Sequence, residues 1–142
     1  MRSKQVSIAP KIYIVVFDTG DEVVRGLTDF AKENKLHAAS ITAIGAFSNT
    51  DLGYFDLAAK DYKKIPVTEQ VEVLSLIGDT TQHKGDPKLH AHAVVGKQDG
   101  TAHGGHLLKA IVNPTLEVII TEVPIYLNRE LDPAVGIPLI KL

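Results

Sequence analysis

Apolar residues recur at alternate positions along most of this chain, and that period predicts strands. Lys11–Asp18 is rich in β-branched and aromatic residues and is predicted as a strand buried on both faces. Glu69–Thr81 is the longest alternating segment, and its first predicted face carries Val71, Val73, Ser75 and Ile77. Similar signals predict further strands at Ala38–Phe47, Leu52–Asp56, Lys60–Val67, Leu89–Lys97 and Thr115–Tyr126. Because short turns join consecutive strands, the pattern favours antiparallel pairing.

One segment has the period of a helix instead. Apolar residues fall on one helical face at Val23, Leu27, Phe30 and Ala31. The helix is predicted to run to about Lys35, and Thr19 followed three positions later by Glu22 predicts a capping box at its start. A second short helix is considered near Leu107–Ile111.

These elements predict an α/β protein of the α+β type. The expected architecture is a mostly antiparallel sheet of about seven strands, flanked by one or two helices. A length of 142 residues suits a single domain over 1–142, with its core at about 11–127. The tail, 131–142, contains Pro133 and Pro138 and is apolar at its end, so we expect it to pack on the body or on a neighbouring subunit.

Composition excludes several kinds of chemistry. The chain has no cysteine, which excludes disulfides, thiolate zinc sites and a cysteine nucleophile, so any transition-metal site must use histidine and carboxylate ligands. The formal net charge is −2 and the pI is near 6.3. Proteins that bind nucleic acid without a partner usually have an excess of basic residues and a high pI, and this chain has neither. There is no signal-peptide core and no run of about 20 apolar residues, so a cytoplasmic protein without membrane association is expected.

Histidines are concentrated in one window, where four of the six lie between Leu89 and Leu107. His90 and His92 are two positions apart on a predicted strand, so their side chains share a face. His106 follows two glycines, whose backbone freedom would let its ring be aimed back at the pair. Neutral imidazole binds zinc, nickel, copper or iron, so the pattern favours a metal site with open positions. The alternative is that these histidines bond backbone groups and line a polar groove.

Other polar residues are weaker candidates. Glu122 shares strand parity with apolar neighbours, and a carboxylate on such a face needs a partner: a metal, a metal-bound water or a basic side chain. It is the candidate catalytic base. His103, Asp56 and Glu117 are weaker candidates for ligand binding, and His103 is expected to be exposed because it lies in a turn.

Several stretches together resemble a known family. Glu72–Gly78, Leu89–His92 and Asp99–Leu107 are similar to the plants and prokaryotes conserved (PPC) domain, also called DUF296, in its stand-alone prokaryotic form. Ile44–Phe47 and Leu52–Asp56 agree with the same family. The resemblance covers about residues 11–122, most of the chain.

The resemblance implies an antiparallel sheet with flanking helices, assembled as a homotrimer. It also implies a histidine-bound metal in some prokaryotic members, which matches His90, His92 and His106 here. In plant members an AT-hook precedes the domain and makes the DNA contact. Residues 1–10 of this chain have only two basic residues, Arg2 and Lys4, and no Arg-Gly-Arg core, so that mode of DNA binding is not expected.

The first hypothesis is therefore a trimeric, cytoplasmic, metal-binding PPC-domain protein of unsettled biochemical role. A divalent transition metal, with zinc favoured, would be held by the three histidines, and the site would bind a small ligand or activate water, with Glu122 as a candidate base. The alternative is a DNA-associated regulatory or assembly protein that acts through its trimer without a metal-dependent activity. A third hypothesis is a trimeric scaffold whose histidines are structural.

Overall fold

The structure, a computed structural model, describes residues 1–123 and 125–142. These residues form one helix and nine strands joined in one sheet. The helix is α1 (Val23–Glu33); the strands are β1 (Arg2–Ile8), β2 (Lys11–Asp18), β3 (Ala39–Asp56), β4 (Asp61–Val67), β5 (Val71–His83), β6 (Asp86–Gly96), β7 (Ala102–Glu122), β8 (Asn128–Leu131) and β9 (Pro138–Lys141). Strand pairing is antiparallel throughout the described residues, except where β8 meets β5. The predicted fold class is thus confirmed, whereas a second helix near Leu107–Ile111 is wrong because those residues lie inside β7.

Four of the strands close into a ring. β3 pairs with both β5 and β7, and β6 also pairs with both β5 and β7. In a closed ladder alternate side chains point inward, and they fill the core when they are apolar. On β6 the inward residues are Ala91, Ala93 and Val95, each at most 2% exposed. The outward face of the same strand carries His90 and His92.

The helix covers this core, but its cap differs from the prediction. The four predicted apolar residues of α1 are its buried residues. The cap is Glu22, whose carboxylate accepts hydrogen bonds from the N–H groups of Val24 and Arg25 at 3.1 and 2.7 Å. Thr19 instead donates its hydroxyl to the carbonyl oxygen of Pro114. The capping box is therefore wrong, because one carboxylate next to the first turn already satisfies two free N–H groups.

Three strand predictions also need correction. β2 has the predicted bounds, but it is buried on one face only, since Ile14 is 36% exposed. β3 joins the two strands predicted at Ala38–Phe47 and Leu52–Asp56 into one, because the residues between them pair with β7. In β5 a bulge between Val73 and Ser75 reverses the faces, so Ile77 is 59% exposed instead of sharing the buried face of Val73.

The C-terminal tail packs on the body of the same chain. β8 and β9 form an antiparallel hairpin, and the N–H of Gln82 in β5 donates to the carbonyl oxygen of Leu127 at 2.9 Å. Arg129 of β8 is 6% exposed and reaches into the body. Over residues 1–123 and 125–142, no helix has the length and apolar character needed to span a bilayer.

Candidate metal centre

Strand register assembles the three histidines. β6 and β7 pair so that His92 lies directly opposite His106, and His90 precedes His92 by two positions on the same face. Side chains that face each other across two strands start about 5 Å apart at Cβ, so three imidazoles meet without any special loop. The centroids of the three rings are 5.2 to 5.4 Å apart in every pair.

The spacing of the imidazole nitrogens fits one metal ion. One ring nitrogen from each histidine lies within 4.8 Å of the others, and the Nε2 atoms of His90 and His92 are 3.3 Å apart. Two nitrogens bound to tetrahedral zinc at about 2.0–2.1 Å are separated by about 3.3–3.4 Å. The His90–His92 pair therefore already has the separation of two ligands on one ion.

The two glycines before His106 serve a different purpose from the predicted one. Gly104 and Gly105 lie within β7 instead of a turn, and neither has a positive φ. A Cβ on Gly105 would lie 2.8 Å from the carbonyl oxygen of Gly53 on β3. This glycine allows β3 and β7 to approach closely beside the site, and register alone brings His106 to the pair.

A carboxylate and a guanidinium lie beside Nδ1 of His90. Asp79 lies opposite His90 in the β5–β6 pairing, and its Oδ2 is 3.8 Å from Nδ1 of His90. Arg129 donates from Nη2 to Oδ1 of Asp79 at 2.7 Å, and the same Nη2 is 3.3 Å from Nδ1 of His90. Metal-bound histidines commonly donate their second ring N–H to a carboxylate, and Asp79 is the carboxylate nearest to Nδ1 of His90, although at 3.8 Å the two are not hydrogen-bonded here.

Tyr62 of β4 supports His106 in the same way. Its hydroxyl is 3.4 Å from Nδ1 of His106, and the two ring centroids are 4.6 Å apart. Burial raises the pKa of Tyr62, so its phenol stays protonated and neutral near pH 7.

The surroundings keep the half-buried imidazoles of His90 and His106 neutral. Burial, followed by the nearby charges of His90, His92, Lys88 and Arg129, lowers the pKa of His106 to about 4. Burial, followed by the charge of Arg129, also lowers the pKa of His90. A metal binds only unprotonated imidazole, so at pH 7 both rings are ready to bind one without first losing a proton.

A cavity of about 170 Å³ opens beside the histidines. It is lined by five polar or charged residues, Tyr62, Lys88, His90, His106 and Arg129, and by four apolar ones, Leu89, Ile137, Pro138 and Leu139. The C-terminal hairpin thus forms one wall of the site. A small molecule in this cavity would touch both the imidazoles and the two cationic side chains.

The family model of the Plants and Prokaryotes Conserved (PCC) domain matches residues 5–124. The chain belongs to this family. The resemblance found in the sequence is thereby confirmed. A search among functionally curated proteins finds no match.

Solved structures of similar proteins cover nearly the whole PCC domain. A proposed DNA-binding protein from Bacteroides thetaiotaomicron is 30% identical, with a TM-score of 0.91 over 98% of this chain and 96% of that one. A metal-containing protein from Archaeoglobus fulgidus is 34% identical, with a TM-score of 0.86 over 93% and 94% of the two chains. A plant- and prokaryote-conserved protein from Pyrococcus horikoshii is 30% identical, with a TM-score of 0.87 over 92% and 91%.

The PCC fold does not bring Glu122 to the histidines. Its carboxylate accepts hydrogen bonds from the backbone N–H and the Nζ of Lys11, at 3.3 and 3.1 Å. It pairs with Ala39 at the start of β3, whereas His106 pairs with Gly53 near the end of that strand. The partner that this carboxylate needs is a basic side chain, one of the three alternatives considered from the sequence.

The other weak candidates also lie outside the cluster. Oδ1 of Asp56 accepts hydrogen bonds from the N–H groups of Ala58 and Ala59 in the turn after β3. Glu117 is exposed and lies opposite Ile44. His103 is exposed as expected, but it lies in β7 opposite Val95 and not in the predicted turn.

Sequence reasoning missed Asp79, Tyr62 and Arg129. Asp79 follows the mostly apolar run Leu74–Gly78 in β5 and lies opposite His90, but this pairing could not be deduced from its position in the sequence. Arg129 gave no local signal, because its partners lie about fifty positions earlier in the chain.

Proposed function

We propose that this PCC-domain protein binds a divalent transition metal through His90, His92 and His106, and that zinc is the favoured ion. The observation that carries the proposal is the convergence of three imidazole nitrogens within 4.8 Å. The tetrahedral spacing of the His90–His92 pair favours zinc, because zinc takes imidazole ligands in that geometry. The metal-containing relative from Archaeoglobus fulgidus supports metal binding, without favouring one metal.

The chain's own residues give such a site open access. Asp79 lies beside Nδ1 of His90, the hydroxyl of Tyr62 contacts Nδ1 of His106, and the adjoining cavity admits a small ligand. A bound divalent ion would supply Lewis acidity to an oxygen atom of that ligand. Three protein ligands with room for a fourth are typical of sites that act on a ligand, since closed structural sites use four.

Elemental analysis of protein purified without a histidine tag tests the metal proposal. The expected result is close to one metal per chain in the wild type and loss of that metal when the three histidines are changed to Ala. The matched control is His103→Ala, which removes an exposed histidine from the same strand and should keep the metal. Absence of metal from the wild type after incubation with zinc at pH about 8 would contradict the proposal.

We further propose that the chain assembles as a homotrimer through the outer face of its sheet. Register places Ile14, Ile119, Thr42, Ile77 and His92 side by side across five strands. The three isoleucines of this row are 36%, 48% and 59% exposed, in the order Ile14, Ile119 and Ile77. An apolar sheet face of this extent is typical of an interface between subunits. The family resemblance supports three copies.

Light scattering after size exclusion tests the assembly. A trimer has three times the 15.4 kDa mass of the chain. Ile77→Asp should lower the mass towards that of one chain, because a carboxylate would be buried without a partner. Lys63→Asp, an exposed change on β4, is the matched control. A wild-type monomer at micromolar concentration would contradict the proposal.

DNA association is the second candidate, because the relative from Bacteroides thetaiotaomicron is a proposed DNA-binding protein. The net charge of −2 argues against strong contact with phosphates. A gel-shift titration at increasing salt distinguishes the two functions. DNA binding that weakens steeply with salt and persists in the triple histidine variant would favour DNA association over the metal-dependent role.

A further inference from the structure

We infer that the cavity beside His90 and His106 binds a small organic carboxylate, with Lys88 as the main cationic partner and Arg129 as the second. The inference rests on the proposed function, since the carboxylate would lie beside the metal ligands. It adds the chemical class of the ligand and the residues that select it.

The size of the cavity limits the ligand. Its volume is about 170 Å³, and a protein cavity of about 150 Å³ accommodates a benzene-sized molecule. A ligand of about six to ten non-hydrogen atoms therefore fits, which is the size of a short-chain organic acid. A whole nucleotide or peptide would extend beyond this space.

The two cations at the cavity have donors available. Lys88 is exposed, and no carboxylate in the described part of the chain lies within 4.0 Å of its Nζ. Arg129 already donates from Nε to Thr81 and from Nη2 to Asp79. Its Nη1 makes only a long contact of 3.4 Å to the carbonyl oxygen of Pro138, so this nitrogen has an N–H group left for a ligand.

The remaining walls favour a carboxylate over a phosphate. Leu89, Ile137 and Leu139 present hydrocarbon to the cavity, and Pro138 has no backbone N–H to offer. Phosphate sites usually add backbone N–H groups or a helix N-terminus to their cationic side chains, and α1 does not line this cavity. One compact negative group attached to a short hydrocarbon body matches both the two cations and the apolar walls.

Calorimetric titration with three probes tests this inference. The probes are butyrate, the uncharged butyramide of nearly the same shape, and inorganic phosphate, each titrated into zinc-loaded and EDTA-treated protein. Lys88→Gln removes the main cation, and Lys63→Gln makes the same charge change on an exposed β4 position that does not line the cavity. We expect butyrate to bind about fivefold to tenfold more weakly to Lys88→Gln, to bind Lys63→Gln as it binds the wild type, and butyramide not to bind.

The outcomes separate this inference from the metal proposal. Equal butyrate affinity in the wild type and Lys88→Gln, or equal binding of butyrate and butyramide, would overturn the inference. Tighter Lys88-dependent binding of phosphate than of butyrate would also overturn it, because the ligand class would then be phosphate. Zinc binding without butyrate binding overturns the inference alone. Lys88-dependent butyrate binding by a protein that takes up no zinc supports the inference and contradicts the metal proposal.

Discussion

The Nε2 atoms of His90 and His92 lie 3.3 Å apart on the outward face of β6. The two rings are neighbours because residues two apart on a strand share a face. β7 then adds the third imidazole by placing His106 opposite His92. The site is thus a product of the sheet itself, held by backbone pairing on both sides of β6. Changes in the neighbouring side chains and strands should therefore alter the metal affinity of the site and the free energy of unfolding.

Asp79→Asn should weaken metal binding by about 10- to 100-fold without changing the metal content at saturation. The neutral amide would no longer favour a metal-bound His90 that presents its second N–H to a carboxylate. A chelator-competition titration measures this affinity. Asp86→Asn is the control, because Asp86 forms an exposed ion pair with Lys32. Equal affinities in the two variants would show that Asp79 does not support the ligand.

Gly78→Ala should disturb β6, the strand that carries His90 and His92, from the face opposite to the histidines. A Cβ at Gly78 would overlap the carbonyl oxygen of His90 and lie 2.8 Å from Cα of Ala91. We expect a loss of about 1–3 kcal/mol in the free energy of unfolding, together with weaker metal binding, because β6 must shift. Urea unfolding and the same metal titration measure both effects.

Gly104→Ala is the matched control for that change. A Cβ at Gly104 would meet its nearest neighbour, the carbonyl oxygen of Ala93, at an ordinary 3.5 Å. Its free energy of unfolding should stay within about 0.5 kcal/mol of the wild type. If both alanine variants behaved alike, close approach at Gly78 would not be what positions His90.

Arg129→Ala should loosen the C-terminal hairpin and lower stability by about 2–3 kcal/mol. The change removes a buried guanidinium that bonds Thr81 and Asp79, and the estimate is below that for a fully buried pair because the Asp79 side chain is 34% exposed. Urea unfolding measures the stability, and hydrogen exchange over 125–142 should rise selectively. Arg25→Ala, at an 83% exposed side chain, should change stability by less than about 0.5 kcal/mol.

The metal-free protein should lose stability as the pH falls from about 6.5 towards 4. The pKa of His106 is lowered to about 4 in the folded protein, against about 6.5 when unfolded, so the unfolded state takes up the proton first. The contribution is about 1–2 kcal/mol after allowance for the partial exposure of the ring. Thermal unfolding in EDTA measures it. His106→Gln should reduce the pH dependence and His103→Gln should not; an unchanged slope in His106→Gln would contradict this explanation.

Local periodicity was sufficient for some of these elements and insufficient for others. The bounds of β2 follow from its run of β-branched and aromatic residues, and the shared face of His90 and His92 on β6 follows from their spacing, so both could be predicted. β3 was predicted as two separate strands, and only the second half of β7 was predicted as a strand, because the polar middle of β3 and Asn113–Pro114 in β7 resemble turns when their pairing partners are unknown. The bulge in β5 was missed for the same reason, and it changed the face of Ile77.

The residues of the candidate site were also predictable only in part. The pair His90 and His92 could be predicted because its spacing is local, and His106 because it follows closely in the chain. Arg129 and Tyr62 reach the site through strand pairing and the packing of the C-terminal hairpin, so nothing near them in the sequence marks their role. Glu122, the predicted base, forms an ion pair with Lys11 instead. Alternation along a strand predicts which face a side chain is on, but not which end of the sheet it occupies.

Diffraction data collected above and below the zinc absorption edge, from crystals of zinc-treated protein, test the central claim most directly. The account predicts one anomalous peak per chain, about 2.0–2.1 Å from a ring nitrogen of each of His90, His92 and His106. A peak at other residues, or no peak at these three imidazoles in zinc-treated crystals, would contradict the claim that they form a metal site.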